Sequence, residues 1–206
     1  MPIVNQTDTT KLIKIDSTFK QIKNLYGLPP NWKRPEGFVS LSKIILEQQI
    51  SLESAAAHFN KLNNYLKEFT PENIVKLSDS EMRVSQISKQ KANYLRELSI
   101  AVLNKTIRLE RLKKLSSEKI REELVKIKGI GNWTADVYLI FCIQNKDIFP
   151  IGDIALIKTV NELWGTSNAA EVQELSRNWH PYRSLASFFL WHYYLSKRNR
   201  VIVPEV

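Results

Sequence analysis

Apolar residues recur along this chain at the three- and four-residue spacing of amphipathic helices, and no stretch shows the alternation typical of a strand. The pattern from Phe38 onward predicts one helix, and a second is expected from Leu52 to about Tyr65. The predicted fold class is therefore all-α. The same spacing predicts further helices over residues 18–26, 89–103, 154–164, 169–179 and 182–197.

Cap residues and helix breakers divide the rest of the sequence. Thr70 precedes a proline, and Ser78 and Glu81 have the spacing of a capping box, so two short helices are expected after these positions. Residues 1–17 are polar and β-branched, which predicts an extended or frayed tail. Residues 27–37 are rich in glycine and proline and predict a loop.

Two glycines, Gly129 and Gly131, separate a helix predicted up to about Ile127 from another that starts near Asn132. This is a helix-hairpin-helix. Amides at the start of the second helix would present its positive end to an anion, which suits a phosphate oxygen and reads no base. DNA binding without sequence preference is one interpretation, and a plain helix turn is the other. The candidate phosphate-binding residues are Gly129, Ile130, Gly131, Asn132 and Thr134.

Asp153 ends a loop that contains proline and glycine, immediately before the helix predicted from Ile154. Aspartate is a favoured helix cap, so capping alone would explain the residue. The order of hairpin, loop and aspartate adds a second interpretation, because it resembles the helix-hairpin-helix (HhH-GPD) DNA glycosylase superfamily. The segments GIGNWTA, DIFPIGDIALIK, HPYRSLASFFLWHYYL and EQQISLESAAA are similar to its alkylation-repair branch, the 3-methyladenine DNA glycosylase II type.

The resemblance extends from about Leu41 to Leu195 and implies an architecture and an activity. It implies two helical lobes around a cleft that holds Asp153, with lobe A at about 46–145 and lobe B formed by about 1–45 and 146–206. It also implies a compact form without a separate N-terminal sheet domain. The expected activity is excision of alkylated purines from double-stranded DNA, which leaves an abasic site for base excision repair.

Site roles follow from the positions that match the family. Asp153 matches the catalytic carboxylate, Trp133 and Trp191 match aromatic positions of the base pocket, and Gln49 matches the side chain that fills the gap left by the extruded nucleotide. Without the resemblance, the tryptophans are explained by core packing and Gln49 by an exposed helix end. The family's structural Na⁺ or K⁺ is held by main-chain carbonyls that match Val125, Ile127 and Ile130.

The residue two positions after Gly131 bears on the mechanism. Bifunctional relatives have a lysine there, which forms a Schiff base with the sugar. This chain has Trp133, so a monofunctional enzyme without lyase activity is expected. A tryptophan face would also favour a cationic alkylated base through a cation–π interaction. Val137 departs from the further aromatic residue that the branch often has four positions later, so 3-methyladenine, 7-methylguanine, ethenoadenine and hypoxanthine all remain candidate substrates.

The net charge restricts the classes of partner, and the single cysteine restricts the possible cofactors. A net charge of +9 and a pI near 9.6 indicate nucleic acid, an acidic membrane surface or simply a solvated lysine-rich face. A basic run over residues 105–121 leads into the hairpin. Cys142 is expected in the core, and the four ligands of the iron–sulfur cluster found in some relatives are missing.

No required cofactor is predicted, since the three histidines lack metal-ligand spacing. The expected protein is an intracellular monomer, associated with the nucleoid if the source is a prokaryote, with no apolar run long enough to span a bilayer. Two other functions stay open: a glycosylase for uracil, mismatched or deaminated bases, and a non-catalytic DNA-binding module.

Overall fold

The computed structural model describes residues 2–200. Within that range the chain forms helices and no strand, which confirms the all-α fold class. A 3₁₀ helix spans Leu109–Lys114. The twelve α-helices of the described range are α1 Gln6–Ile15, α2 Thr18–Tyr26, α3 Phe38–Glu47, α4 Leu52–Leu66, α5 Pro71–Lys76, α6 Asp79–Val84, α7 Lys89–Leu103, α8 Ser117–Leu124, α9 Asn132–Phe141, α10 Ile154–Trp164, α11 Ala169–Arg177 and α12 Arg183–Ser196.

The chain divides into two compact units. The first, hereafter the terminal unit, comprises the described residues up to Arg34 together with those from Leu139 onward. The second, the hairpin unit, runs from Pro35 to Tyr138. The predicted lobes have different boundaries, because they assign residues 35–45 to lobe B and residues 139–145 to lobe A. Predicted lobe B also includes residues 1 and 201–206, which lie outside the described residues. The predicted cleft between the lobes stays a prediction.

Helix α7 is the centre of the hairpin unit, where it packs against α3, α5 and α6. Its apolar face is buried through Ala92, Leu95 and Leu98. Helix α3 also packs against α4, and its buried positions include Leu41 and Ile44. These contacts explain why α3 belongs to this unit rather than to the terminal segments.

An aromatic core holds the terminal unit together. The Phe19 ring contacts Trp164, Trp179 and Phe189, with centroid separations of 5.7, 5.3 and 5.7 Å. Asp16 gives this core a polar anchor, because its Oδ2 accepts hydrogen bonds from Trp164 Nε1 at 2.9 Å and from Trp179 Nε1 at 3.1 Å. Trp179 is fully buried, so its indole N–H needs that acceptor.

The predicted extended tail is wrong for most of its length, because α1 occupies residues 6–15. Asn5 caps this helix by accepting the Asp8 amide at 2.9 Å, and Leu12 is fully buried. Helix α1 packs against α2 and α12. The burial of Leu12 in these contacts outweighs the weak helix propensity of the β-branched residues, on which the prediction of an extended tail rested.

Most other predicted bounds agree with the structure to within a few residues. Ser78 and Glu81 form the predicted capping box, and Thr70 caps α5 by accepting the Asn73 amide at 3.3 Å. Helix α8 ends at Leu124, before the predicted Ile127. None of the helices among the described residues is both long and apolar enough to cross a membrane.

We expect Asp16→Ala to lower the free energy of unfolding by about 2–3 kcal/mol, because two indole N–H groups lose one charged acceptor. Asp16→Asn keeps an oxygen acceptor and should lose about 1 kcal/mol. Urea unfolding followed by tryptophan fluorescence measures both changes. An alanine variant as stable as the wild-type protein would show that Asp16 does not anchor this core.

Candidate functional site

The hairpin between α8 and α9 is closed by its own backbone. The Ile130 amide donates to the Ile127 carbonyl at 3.0 Å, and the first helical bond of α9 runs from the Ala135 amide to the Gly131 carbonyl at 3.0 Å. The amides at the very start of an α-helix have no acceptor within the helix. In α9 these are the amides of its first turn, which begins at the exposed Asn132.

Gly129 is required by two independent features of the structure. Its φ is +96°, a conformation that residues with a side chain rarely adopt. In addition, a Cβ atom at this position would lie 2.2 Å from Cγ and 2.6 Å from Cβ of Tyr94, which belongs to α7. Gly131 differs, because a Cβ atom there would meet no heavy atom within 4 Å.

An ion pair fixes α8 to α9 beneath the turn. Arg121 donates to Asp136 Oδ1 from Nε at 2.9 Å and from Nη2 at 2.6 Å, and Asp136 is buried with a relative exposure of 7%. Two charge-assisted bonds to one oxygen hold the helices in a defined orientation. Arg121 was one of the charges counted in the basic run before the hairpin, and here it is engaged within the protein.

The five predicted phosphate-binding residues are not equivalent. Gly131 and Asn132 are exposed, whereas Ile130 and Thr134 are buried at 4% and 2% relative exposure. The Ile130 amide already donates within the turn, and the Thr134 hydroxyl accepts a hydrogen bond from Gln48 Nε2 at 2.9 Å. An anion at this turn would therefore be held by backbone amides around Gly131 and Asn132.

Gln49 lies in the short turn between α3 and α4. It is exposed, and its φ of +59° places it in the left-handed region. Nε2 of its neighbour Gln48 donates to the Gly129 carbonyl and to the Thr134 hydroxyl, both at 2.9 Å. The turn that carries Gln49 is thus bonded to the hairpin.

Asp153 caps α10, as its sequence position predicts. Its Oδ1 accepts the Ala155 amide at 2.9 Å and the Leu156 amide at 3.0 Å. Both amides belong to the first turn of the helix, so the carboxylate satisfies two of the N–H groups that have no acceptor within the helix. The residue is only partly buried.

The loop before Asp153 is bonded to the start of α12. The Ser184 hydroxyl accepts the Ile148 amide at 3.0 Å, and the Ser184 amide donates to the Lys146 carbonyl at 3.1 Å. Arg183 donates to Asp147 from Nε at 2.7 Å and from Nη2 at 2.8 Å. Burial raises the pKa of Asp147, but its bonds to Arg183 and His180 outweigh burial and keep that pKa below its usual value.

Trp191 lies on the same helix, α12, and is buried at 8% relative exposure. Its ring contacts Phe141 at a centroid distance of 5.2 Å and Phe188 at 6.1 Å. The Arg34 guanidinium lies over the Phe141 ring, with its Cζ atom 5.4 Å from the ring centroid. Trp133, the second predicted pocket residue, is half-buried in the first turn of α9. The structure thus places Trp191 with Asp153 in the terminal unit, and Trp133 with Gln49 in the hairpin unit.

Several residues of this arrangement were not predicted: Gln48, Tyr94, Asp136, Asp147 and Arg183. Asp136 had a visible signal, since it is a charged residue within an apolar helix. Gln48 and Tyr94 had none, because glutamine and tyrosine are ordinary on exposed helix faces.

The carbonyls of the predicted cation site lie in the hairpin turn. The Ile127 carbonyl accepts the Ile130 amide and has a second lone pair that could reach an ion. Among the described residues, no group of three histidine, cysteine, aspartate or glutamate side chains could hold a metal ion.

Comparison with known proteins gives a consistent result. Residues 42–181 match the model of the HhH-GPD superfamily of base excision DNA repair proteins. The Bacillus subtilis protein YfjP is 30% identical over 73% of this chain, and the chain spans 56% of that protein's length. The alkylbase DNA glycosidase-like protein mag2 of Schizosaccharomyces pombe is 33% identical over 87% of this chain and 89% of its own length.

A solved structure agrees over nearly the whole chain. The crystal structure of a DNA-3-methyladenine glycosidase from Bacillus halodurans has a TM-score of 0.77 and 26% identity, covering 95% of this chain and 92% of that chain.

The two glycines provide a matched pair for a stability test. Gly129→Ala should lower the free energy of unfolding by about 2–4 kcal/mol, since it forces an unfavourable φ and displaces Tyr94. Gly131→Ala should change it by less than about 0.5 kcal/mol, because the added methyl group has room. Thermal and urea unfolding measure both. Equal losses in the two variants would contradict the close approach of Tyr94.

Proposed function

The chain belongs to the HhH-GPD superfamily of base excision DNA repair proteins, and on that premise we propose that it is a DNA glycosylase that removes alkylated purines from double-stranded DNA. The enzyme hydrolyses the N-glycosidic bond of an extruded nucleotide and leaves an abasic site. The observation that carries the proposal is Asp153, a carboxylate at the start of α10 whose loop is bonded to α12.

Asp153 supplies the charge that the reaction needs. Cleavage of an N-glycosidic bond builds positive charge on the deoxyribose, which an adjacent carboxylate stabilises while it orients or deprotonates a water molecule. The first-turn amides that bond to Oδ1 keep the side chain in one position. The bonds from Ser184 and Arg183 hold the loop, so the carboxylate is oriented before substrate arrives.

The hairpin supplies the grip on DNA. Backbone amides around Gly131 and Asn132 suit a phosphate oxygen, and the absence of a side chain at Gly131 leaves room for close approach. These contacts fix the position of the duplex without reading its sequence. We further propose that the carbonyls of Val125, Ile127 and Ile130 hold a structural Na⁺ or K⁺ beside the phosphate, which would add a positive charge at this turn. An enzyme acting on chromosomal DNA would be associated with the nucleoid in a prokaryote.

Trp133 occupies the position at which bifunctional relatives have a lysine, so we propose a mechanism without a covalent enzyme–DNA intermediate. A lysine at this position would attack the sugar carbon and lead to strand cleavage, whereas tryptophan has no nucleophilic amine. A base alkylated at N3 or N7 carries a positive charge and leaves without prior protonation. Its stacking on an indole face would gain a cation–π contribution of roughly 0.5–2 kcal/mol.

A second substrate class is favoured by Arg34. Its guanidinium lies over Phe141, which packs directly on Trp191. A fixed positive charge near that aromatic wall would oppose a cationic base and would favour a neutral one, such as the deaminated base hypoxanthine. The alternative is therefore a glycosylase for deaminated purines that uses the same carboxylate.

We expect Asp153→Asn to reduce base release at least a thousandfold, taking about 10³ as the scale for loss of one transition-state charge contact. Its amide oxygen can still accept the Ala155 and Leu156 amides, so the cap and the fold should persist. Single-turnover release of 7-methylguanine from duplex DNA measures the rate, with binding to undamaged duplex as the control. A variant within tenfold of wild type would exclude Asp153 as the catalytic carboxylate.

A second test concerns Trp133 and separates the two substrate classes. Borohydride should trap no covalent adduct with DNA, because no amine attacks the sugar. Trp133→Ala should reduce release of 7-methylguanine more than release of hypoxanthine, by roughly 2- to 30-fold, since only the cationic base loses a cation–π contact. Arg34→Gln should raise the preference for the cationic base if the alternative is correct.

In this test, equal losses on both substrates would mean that Trp133 only shapes the pocket. A trapped adduct would overturn the monofunctional mechanism.

A further inference from the structure

The Gln48 side chain connects the turn between α3 and α4 to the hairpin. Its Nε2 donates to the Gly129 carbonyl and to the Thr134 hydroxyl, both at 2.9 Å. A primary amide nitrogen carries two hydrogens, so both can be used here. The acceptors lie on either side of Gly131 and Asn132, which are both exposed.

The turn itself is held in a costly conformation. Gln49 has a φ of +59°, which is uncommon for a residue with a long side chain and persists only where surrounding contacts enforce it. Helix α3 ends just before the turn, and Lys91 of α7 donates to the Leu46 carbonyl there at 2.5 Å. Ser51 caps α4 just after it, by accepting the Ser54 amide at 3.1 Å. The turn is therefore bonded at its beginning, at its centre and at its end.

We propose that Gln48 is a positioning residue that couples the phosphate-binding hairpin to the Gln49 turn. The hairpin that binds the DNA backbone and the Gln49 side chain that fills the gap left by the extruded base are then held in a fixed relative position. The inference rests on the proposed function, because it takes Gln49 as the residue that enters the duplex. In this role Gln48 would act through Gln49 and would contact neither the base nor the sugar.

The remaining contacts explain why the coupling can be removed without unfolding the hairpin. The ion pair of Arg121 with Asp136 and the packing of Tyr94 on Gly129 both hold the hairpin independently of Gln48. Loss of the amide would free the Gln49 turn to leave its left-handed conformation. The phosphate-binding amides would stay in place, so binding and base extrusion should separate.

The test measures extrusion with a duplex that contains a single 2-aminopurine mismatch, whose fluorescence rises when the base leaves the stack. Gln48→Leu should reduce the rise about tenfold, while affinity for undamaged duplex stays within about threefold of wild type. Gln48→Glu has nearly the same size but replaces the donating nitrogen with an oxygen, so it should behave like the leucine variant. Thr134→Val should show a smaller loss than either, and Thr134→Ser, which keeps the hydroxyl, should match wild type.

A double-mutant cycle decides whether Gln48 acts through Gln49. If it does, Gln49→Ala should lower extrusion as much as Gln48→Leu, and the double variant should lose little more than either single variant. Multiplicative losses would overturn the coupling, and so would a Gln48→Leu variant that extrudes the base normally.

The fluorescence and affinity measurements do not require the N-glycosidic bond to be cleaved. The test of the coupling is therefore independent of the test of glycosylase activity. A wild-type protein that extrudes 2-aminopurine but releases no 7-methylguanine from a duplex that contains it would overturn the glycosylase assignment and leave the coupling intact. A wild-type protein that gives no fluorescence rise would overturn the coupling itself.

Discussion

The close approach of Tyr94 to the backbone of Gly129 is the constraint on which the hairpin unit depends. It requires a position with no side chain and a positive φ, and Gly129 meets both conditions. Because the turn then rests directly on α7, its amides are oriented by packing of the main chain. The same helix reaches the Gln49 turn through Lys91. One helix therefore supports both of the segments that we propose contact DNA.

In the terminal unit, α12 has the corresponding role. Its first residues bond to the loop that ends at Asp153, and its later residues place Trp191 against Phe141 and Phe188. Helix α12 thus contacts both the loop before Asp153 and the Phe141 ring, while the carboxylate itself is bonded to the first turn of α10. If Asp153 and Trp191 form the catalytic site that we propose, this support would limit the reorganisation needed when a transition state forms.

The net charge of +9 does not identify which groups of the chain contact DNA. Arg121 is committed to Asp136, and Lys119 forms an ion pair with Glu122 at 2.9 Å. By contrast, the anion site proposed at the hairpin is built from neutral backbone amides, which no count of charged residues includes. Net charge predicts the attraction to a polyanion, whereas the place of binding is decided by helix geometry.

The sequence by itself determined most of the helices and their caps, the hairpin and the position of Asp153 at the start of α10. Each depends on local spacing, on a cap residue or on the φ of one glycine, so a short window contains the cause. Only the tertiary structure revealed α1, which is held by the burial of Leu12. Only it could assign Gln48, whose two acceptors lie 81 and 86 residues further along the chain. A glutamine that bonds to a distant backbone and one that faces solvent are the same letter in the sequence, because the difference between them arises when remote helices pack.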